Sequence, residues 1–442
     1  MKRQTGMLNA FVAGAVPLDP ATERLIERRD RLLGPAYRLF YEQPLHFVRG
    51  EGSRLFDAEG RAYLDAYNNV AGVGHCHPHV VAQMAQQAAT LATHTRYLHE
   101  APLDYAERLL ATMPAPLEHF MFTCTGSEAN DLAVRIAQAV TRAEGIIVTE
   151  NAYHGVTEAC AGFSPALGLD AGISPRVRLV PAPDPGRPDA ASHFAHGVRN
   201  AISDLAASGL GLSMMIVDTI FSTDGVVDGG EDSDRAADLL SQAVANVREA
   251  GGLFVADEVQ AGFGRTGSSF WGFQRHGIVP DMVSMGKGMG NGYPVAGLAL
   301  RHDLATEFGA KTRYFNTFGG NAVAATVASA VLDVLEGEGL QQNAERVGAA
   351  FRARLRQLGN RHASLGEVRG AGLFIGVDIR ADPDGPESTG QLAGRIVNEM
   401  RDQGVLISTS GASGDTLKIR PPLVFSESDT DEFIDALERV IK

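Results

Sequence analysis

Short apolar runs alternate along this chain with longer stretches whose apolar residues recur every three or four positions. The runs at His119–Thr123, Gly145–Thr149, Val177–Val180, Met214–Asp218, Leu253–Ala256 and Met282–Met285 predict buried strands, with helices between them. Such alternation implies an α/β fold with a mostly parallel sheet covered on both faces. Upstream, residues 22–34 read as a charged helix stopped at Gly34-Pro35. Residues 46–65 read as a hairpin turning at Gly50–Ser53 and Asp57–Gly60. A helix is expected from His79 to Thr93, after Pro78. Residues 162–196 are rich in Pro and Gly and suggest a long functional loop around one strand. After Ala322 a long helical stretch leads to a smaller unit with strands near Leu373–Asp378, Val405–Ser408 and Thr416–Ile419. A last helix is expected over Ser428–Ile441. The expected division is 1–75 as an N-terminal segment and part of a small domain, 76–325 as a large domain, and 326–442 as the rest of the small domain.

Length and charge narrow the classes. A chain of 442 residues has room for about two domains. A formal net charge of −14 argues against nucleic acid or an anionic membrane as partner. No apolar run approaches the ~20 residues of a membrane span. The apolar patch Leu8–Val16 is interrupted by Asn9 and Gly14 and offers no cleavage site. Three cysteines, Cys76, Cys124 and Cys160, cannot all pair, which suggests a reduced, cytoplasmic protein. The cluster His75, Cys76, His77, His79 invites a metal reading; the resemblance given below implies a loop before a helix instead, and no metal is expected.

The chemistry concentrates at Gly286-Lys287-Gly288. An amine pressed among apolar walls loses hydration, so its pKa falls and it becomes a nucleophile; a solvated loop lysine is the other reading. Asp257 ends the strand Leu253–Ala256, and ligands bind at the carboxyl ends of parallel strands. A carboxylate there is costly unless paired. A protonated ring nitrogen would pair it, as when pyridoxal phosphate (PLP) acts as an electron sink. Thr125-Gly126-Ser127 separates a strand from a helix expected from Glu128, with Leu132, Ile136 and Val140 on one face. Its end could hold a phosphate, or Ser127 could be a plain N-cap. Tyr153 ends another strand and could lie on a ring. His154 beside it could contact the cofactor or be structural. Glu258 could be a second acid or merely exposed.

Thr125-Gly126-Ser127-Glu128-Ala129-Asn130, Tyr153-His154-Gly155, Asp257-Glu258-Val259-Gln260 with Gly262-Phe263-Gly264-Arg265-Thr266-Gly267, Lys287-Gly288 and Asn316-Thr317-Phe318-Gly319-Gly320-Asn321 occur in order. Together they resemble the class III (ω-amino) aminotransferases, PLP enzymes of fold type I. The likeness runs from about Ala36 to the C-terminus. It implies an aspartate aminotransferase-like architecture, with a large domain and a smaller α/β domain drawn from both termini. It also implies that Lys287 holds the cofactor and later moves the proton, and that Asp257 binds the ring nitrogen. Gln260 would bind the ring oxygen, Val259 and Tyr153 would flank the ring, and Gly126 and Ser127 would hold the phosphate. Thr317 would complete the phosphate site from a partner subunit, in a homodimer with shared active sites.

The departures from that pattern point to a branch. Many family members carry a gating Glu in a segment like Glu-Pro-Ile-Gln-Gly-Glu-Ala-Gly, and an Arg that binds an α-carboxylate. Here the segment reads Asp218-Thr219-Ile220-Phe221-Ser222-Thr223-Asp224-Gly225, with Thr223 at the Glu position. Lys418 stands at the Arg position, and a lysine is a point charge adequate for phosphate. Leu39-Phe40-Tyr41-Glu42-Gln43-Pro44, Asn68-Asn69-Val70-Ala71, Gly74-His75-Cys76-His77-Pro78, Arg96-Tyr97-Leu98-His99 and Lys418-Ile419 look like the ethanolamine-phosphate and phosphohydroxylysine phospho-lyases. That likeness implies elimination of phosphate from an amino-alcohol phosphate. The alternative is an ω-aminotransferase passing an amine to pyruvate or another keto acid. Lys418, Arg420 and Arg96 are candidates for holding a substrate phosphate; each could instead be structural.

Overall fold

The computed structural model describes residues 9–168, 172–184, 186–228 and 233–442; of 233–238 only the backbone is described. The chain opens with α1 (Pro20–Leu33), capped by Asp19 and closed at Gly34, with no buried residue. A meander follows: β1 (Phe47–Glu51), β2 (Arg54–Asp57) and β3 (Ala62–Asp65). Then come α2 (Pro78–Thr90), α3 (Glu100–Leu110), β4 (Leu117–Thr123), α4 (Gly126–Thr141), β5 (Gly145–Thr149) and the short α5 (Glu158–Ala161). The alternation continues through β6 (Val177–Val180), α6 (Ala190–Ala207), β7 (Leu212–Asp218), α7 (Ser233–Glu249), β8 (Leu253–Asp257) and β9 (Met282–Met285). Next are β10 (Ala296–Arg301), α8 (His302–Lys311), α9 (Ala322–Gly337), α10 (Leu340–Gly359), β11 (Leu365–Ala371) and β12 (Phe374–Ile379). The chain ends with α11 (Thr389–Asp402), β13 (Val405–Leu406), β14 (Ser408–Ser410), β15 (Thr416–Ile419) and α12 (Glu427–Ile441).

Seven strands form the central sheet in the order β4-β10-β9-β8-β7-β5-β6. The five from β9 to β6 run parallel, and β10 lies antiparallel between β9 and β4. Successive residues of a strand point to opposite faces, and here both faces are covered. Ile146, Val148, Ile216 and Val255 pack with Leu132 and Ile136 of α4. Ile147, Met215 and Phe254 turn the other way, toward Phe194, Val198 and Leu205 of α6. Burial on both sides explains why these strands read as unbroken apolar runs.

Several elements depart from the sequence expectations. Ala296–Arg301 is a strand although its Ala and Gly give it little strand propensity; pairing with β4 and β9 on both sides supplies what propensity lacks. β11 was likewise not expected. The single strand expected at Val405–Ser408 is two, split between sheets. β13 pairs in parallel with β3, joining N- and C-terminal segments in one sheet, while β14 pairs with β15. The helical stretch after Ala322 breaks at Gly339, whose φ is +60°. Within 162–196, β6 is flanked by a turn at Pro165–Leu167 and by the start of α6. Residues 169–171 and 185 lie outside the described residues, as does Leu8 of the N-terminal patch. Among the described residues no helix is long and apolar enough to cross a membrane.

Candidate active site

Asp218, Asp257 and Ser284 stand in register at the carboxyl ends of β7, β8 and β9. Above them opens a cavity of about 250 Å³, lined among others by Gly126, Ser127, Tyr153, Asp218, Asp257 and Lys287.

Lys287 leaves β9 through a tight turn. Met289 N donates to Gly286 O (2.8 Å) and Gly290 N to Lys287 O (3.2 Å). The backbone of Lys287 itself is left-handed, with φ +30°. A non-glycine residue holds such a conformation at a cost of about 1–2 kcal/mol, and such strain clusters at functional sites. Burial, and next the Arg420 charge, lower its amine to about 8, against the opposing pull of Asp257 and Asp218. A substantial neutral fraction near pH 8 makes it a nucleophile.

Three donors converge on Asp257. Val259 N donates to Oδ1 (3.1 Å), Asn130 Nδ2 to Oδ2 (3.0 Å), and His154 Nδ1 lies 2.7 Å from Oδ2. Asn130 also donates to the carbonyl of His154 (2.8 Å), and Ser164 Oγ accepts from His154 N (2.9 Å). Asn130 and Ser164, which sequence reading did not single out, thus hold the Tyr153–Gly155 segment against the acid. The available signal was Asn130 itself, a polar residue beside Ala129 on the buried side of α4.

The phosphate-type cradle begins two residues earlier than expected. α4 starts at Gly126, and Thr125 is the N-cap, accepting from Glu128 N (3.1 Å). Ser127 is therefore not the N-cap but a first-turn residue whose hydroxyl accepts from Val156 N (3.1 Å). Bare glycines keep the cradle open. A Cβ on Gly126 would lie 2.8 Å from Val259 Cγ2, and one on Gly155, where φ is +135°, only 2.4 Å from Ser127 Oγ.

Gln260 is clamped from both sides. Arg420 Nη1 donates to its Oε1. A guanidinium only donates, so the amide nitrogen must face the other way; it reaches Ser222 Oγ at 2.5 Å. Arg420 also stands 4.4 Å over the Tyr67 ring, and its Nε has no hydrogen-bond partner among the described residues. Lys418 sits on β15 between Gly376 and Ser408, its ammonium 5.8 Å from the Phe374 ring centre. Both cations are buried behind the cavity wall rather than in it. Burial drives Lys418 well below its ordinary value, with Arg420 and Lys287 adding like-charge repulsion. Burial, and then Asp257, drive Asp218 upward.

The Asp218–Val227 loop is pinned. Asp218 accepts from Ile220 N (3.1 Å) and Ser222 N (3.2 Å), Ser410 Oγ donates to Ser222 O (2.6 Å), and Gly411 N donates to Thr223 O (3.2 Å). Asp224 accepts from Thr149 Oγ1 (2.8 Å) and Asn151 N (3.2 Å); burial pushes it up to about 6. Glu258 is not exposed. It is wholly buried, takes donors from Thr219 Oγ1, Gly272 N and Phe273 N, and is pushed up to about 7 by that burial. Thr317 and Arg96 are exposed and lie outside the cavity of their own chain. His75, His77 and His79 turn to three different carboxylates, Asp65, Glu338 and Asp333.

The donor set fits a phosphorylated pyridine aldehyde: a helix N-terminus for the phosphate, a carboxylate for the ring nitrogen, Tyr153 and Val259 in the walls, and a neutralisable lysine.

Residues 40–441 match the family model of the class III aminotransferases. The chain is 33% identical to a Caenorhabditis elegans protein named ethanolamine-phosphate phospho-lyase homolog 1, covering 98% of this chain and 97% of that one. It is 38% identical to a Drosophila melanogaster alanine–glyoxylate aminotransferase 2-like protein, covering 92% of this chain and 85% of that one. A solved phospholyase from Arthrobacter, in complex with phosphoethanolamine, matches with a TM-score of 0.90 at 39% identity, over 94% of this chain and 99% of that chain. The protein belongs to the class III aminotransferases, with the PLP fold of type I. It is a PLP-dependent enzyme, a lyase or a transaminase.

Proposed function

We propose that the protein is a phospho-lyase that eliminates phosphate from a small amino-alcohol phosphate of the O-phosphoethanolamine type. The observation that carries this reading is the pinned Asp218–Val227 loop. It carries Thr223 where related transaminases place a gating glutamate, and the neighbouring Ser222 is bonded to Gln260, the partner of Arg420. Without a mobile carboxylate on that loop, the Arg420 charge behind the cavity-lining Gln260 biases the pocket toward an anionic substrate group. The likeness to the Arthrobacter phospholyase supports the same reading.

Bound at Lys287, PLP supplies an electron sink for the carbon next to the substrate nitrogen. Gly126 and Ser127 would hold its phosphate, Asp257 its ring nitrogen, Gln260 its ring oxygen, and Tyr153 and Val259 its faces, with His154 bracing Asp257. Once the substrate amine has taken its place on the cofactor, the freed Lys287 amine would take the proton from that carbon. The C–O bond of the neighbouring carbon then breaks, and its electron pair leaves with the phosphate. Water consumes the remaining enamine to give an aldehyde and ammonia. Arg420, bonded to the cavity-lining Gln260, contributes positive field toward the departing anion, while Lys418, driven down by burial behind the wall, adds less. The active unit is a homodimer, its shared sites completed by Thr317 of the partner copy. The free thiols of Cys76, Cys124 and Cys160 suit a reducing, cytoplasmic setting.

A second reading, amine transfer to pyruvate or another keto acid, draws on the likeness to the alanine–glyoxylate aminotransferase-like relative. Dependence on keto acid separates the two. Phosphate release from O-phosphoethanolamine should proceed without any keto acid. A requirement for pyruvate, with alanine accumulating, would move the assignment to transamination.

A further inference from the structure

The Asp218–Val227 loop is held in a shape that its own residues resist. Phe221 and Val226 both have left-handed backbones, with φ +50° and +63°. For a β-branched valine that conformation is a genuine outlier. Such strain persists only where the surroundings over-determine it, and it gathers at functional sites. Val226 is wholly buried, and a Cβ on Gly376 would lie 2.9 Å from Val226 Cβ, so β12 runs directly against it. The loop also folds back on itself: Val226 N donates to Phe221 O (3.1 Å) and Val227 N to Ile220 O (3.0 Å).

The grip on its strained end comes from the C-terminal sheet, ordered β11-β12-β15-β14. Arg369 of β11 is buried there, and all five of its guanidinium N–H groups are engaged. Nε donates to Val226 O (3.0 Å) and Nη2 to Gly225 O (2.9 Å). The others go to both oxygens of Asp378 on β12 (2.5 Å each) and to Glu367 Oε2 (3.2 Å). Asp378 Oδ1 also accepts from Thr416 Oγ1 of β15 (3.0 Å), which steadies the acid. A planar guanidinium can hold a carboxylate on one edge and two carbonyls on the other; a lysine ammonium, a point charge, cannot.

The grip reaches the cavity through Ser222 of the same loop, whose Oγ accepts from Gln260 Nε2 (2.5 Å). Gln260 lines the cavity and carries the Arg420 bond at its other end. Were the loop to relax, Ser222 would withdraw and Gln260 would lose one of its two anchors. We infer that Arg369 is a specificity-positioning residue: by holding Gly225 and Val226 it fixes the loop and, through Ser222, keeps Gln260 and the Arg420 charge behind it set for a phosphorylated amine. The inference rests on the phospho-lyase reading and names what holds its specificity loop in place.

The test compares two amines on PLP-loaded enzyme. One is 3-aminopropylphosphonate, in which CH2 replaces the ester oxygen so that no phosphate can leave; the other is propylamine, which lacks the anion. Each is titrated by the spectral change of the bound cofactor on mixing. Arg369→Gln should lower the affinity for the phosphonate about 10-fold, the scale of a displaced charged hydrogen bond, and leave that for propylamine unchanged. Amide hydrogen exchange over residues 219–227 should quicken in the same variant. Arg369→Lys should recover part of both. Asp378→Asn, which leaves the guanidinium in place but loosens its other edge, should move both readouts the same way by less, and it decides the case if Arg369→Gln does not fold. Wild-type exchange in the loop, or faster exchange with the phosphonate affinity unchanged, would overturn the inference. Equal losses for the two amines, the mark of general destabilisation, would also overturn it. A wild type that binds the phosphonate no better than propylamine would overturn both readings. A wild type that prefers the phosphonate yet releases no phosphate from O-phosphoethanolamine would overturn only the phospho-lyase reading beneath it.

Discussion

At the residue scale the site is governed by what burial does to charge. Lys287, lowered to about 8, is half neutral where an ordinary lysine is almost wholly protonated. Covalent capture of PLP by the apoenzyme should therefore rise with pH and level off above about 8. A rate still climbing toward the ordinary 10.5 would show that the amine is not desolvated. The sign for stability follows. The folded value lies below the unfolded one, so the unfolded chain binds the extra proton between about 8 and 10.5, and this group's drag on folding is relieved as pH rises through that window. Lys287→Ala should abolish turnover, because no other amine among the described residues lines the cavity; substantial residual phosphate release would refute the assignment. Asp257→Asn should slow the reaction by about 100-fold or more, the scale of losing a preorganised electrostatic partner. An unaffected rate would show that the ring nitrogen needs no carboxylate. These two residues were legible in the sequence because each sits where local pattern gives it no structural purpose: a lysine between glycines, and an acid ending an apolar strand. The braces Asn130 and Ser164 were not: Asn130 meets Asp257 across 127 residues, and Ser164 reaches His154 only once the segment around α5 folds back.

At the scale of elements, the cradle and the pinned loop carry the specificity. Gly155 holds a φ of +135° with Ser127 packed against it. Gly155→Ala should therefore cost about 1–3 kcal/mol of local strain. It should weaken PLP binding at least about 10-fold, measured as cofactor retained on dilution. Unchanged retention would mean that the cradle does not form against α4. Thr223→Glu restores the carboxylate that related transaminases carry. It should raise KM for the phosphorylated amine through repulsion of the phosphate while leaving the response to ethanolamine nearly intact; equal effects on both would show that the loop does not face the phosphate. The five parallel strands were readable because two-sided burial demands unbroken apolar runs. β10 was not, because Ala-Gly-Leu-Ala-Leu-Arg becomes a strand only between two partners. The split of Val405–Ser408 into two sheets is also invisible locally, since Ile407 is the bend between a parallel and an antiparallel pairing.

At the scale of the whole molecule, β3 and β13 tie the N- and C-terminal segments together, and the five parallel strands of the central sheet aim their carboxyl ends at one mouth. That mouth and the surface around Leu98 and Phe318 are left uncovered by a single chain. The central claim is the fate of the substrate: loss of phosphate rather than transfer of the amine. The most direct measurement is to supply purified, PLP-loaded enzyme with O-phosphoethanolamine alone and quantify all three products together. Equal amounts of phosphate, ammonia and acetaldehyde should appear over many turnovers, with the cofactor returned to its aldehyde form. A halt after a single turnover, with no phosphate released and the amine left on the cofactor, would contradict the account.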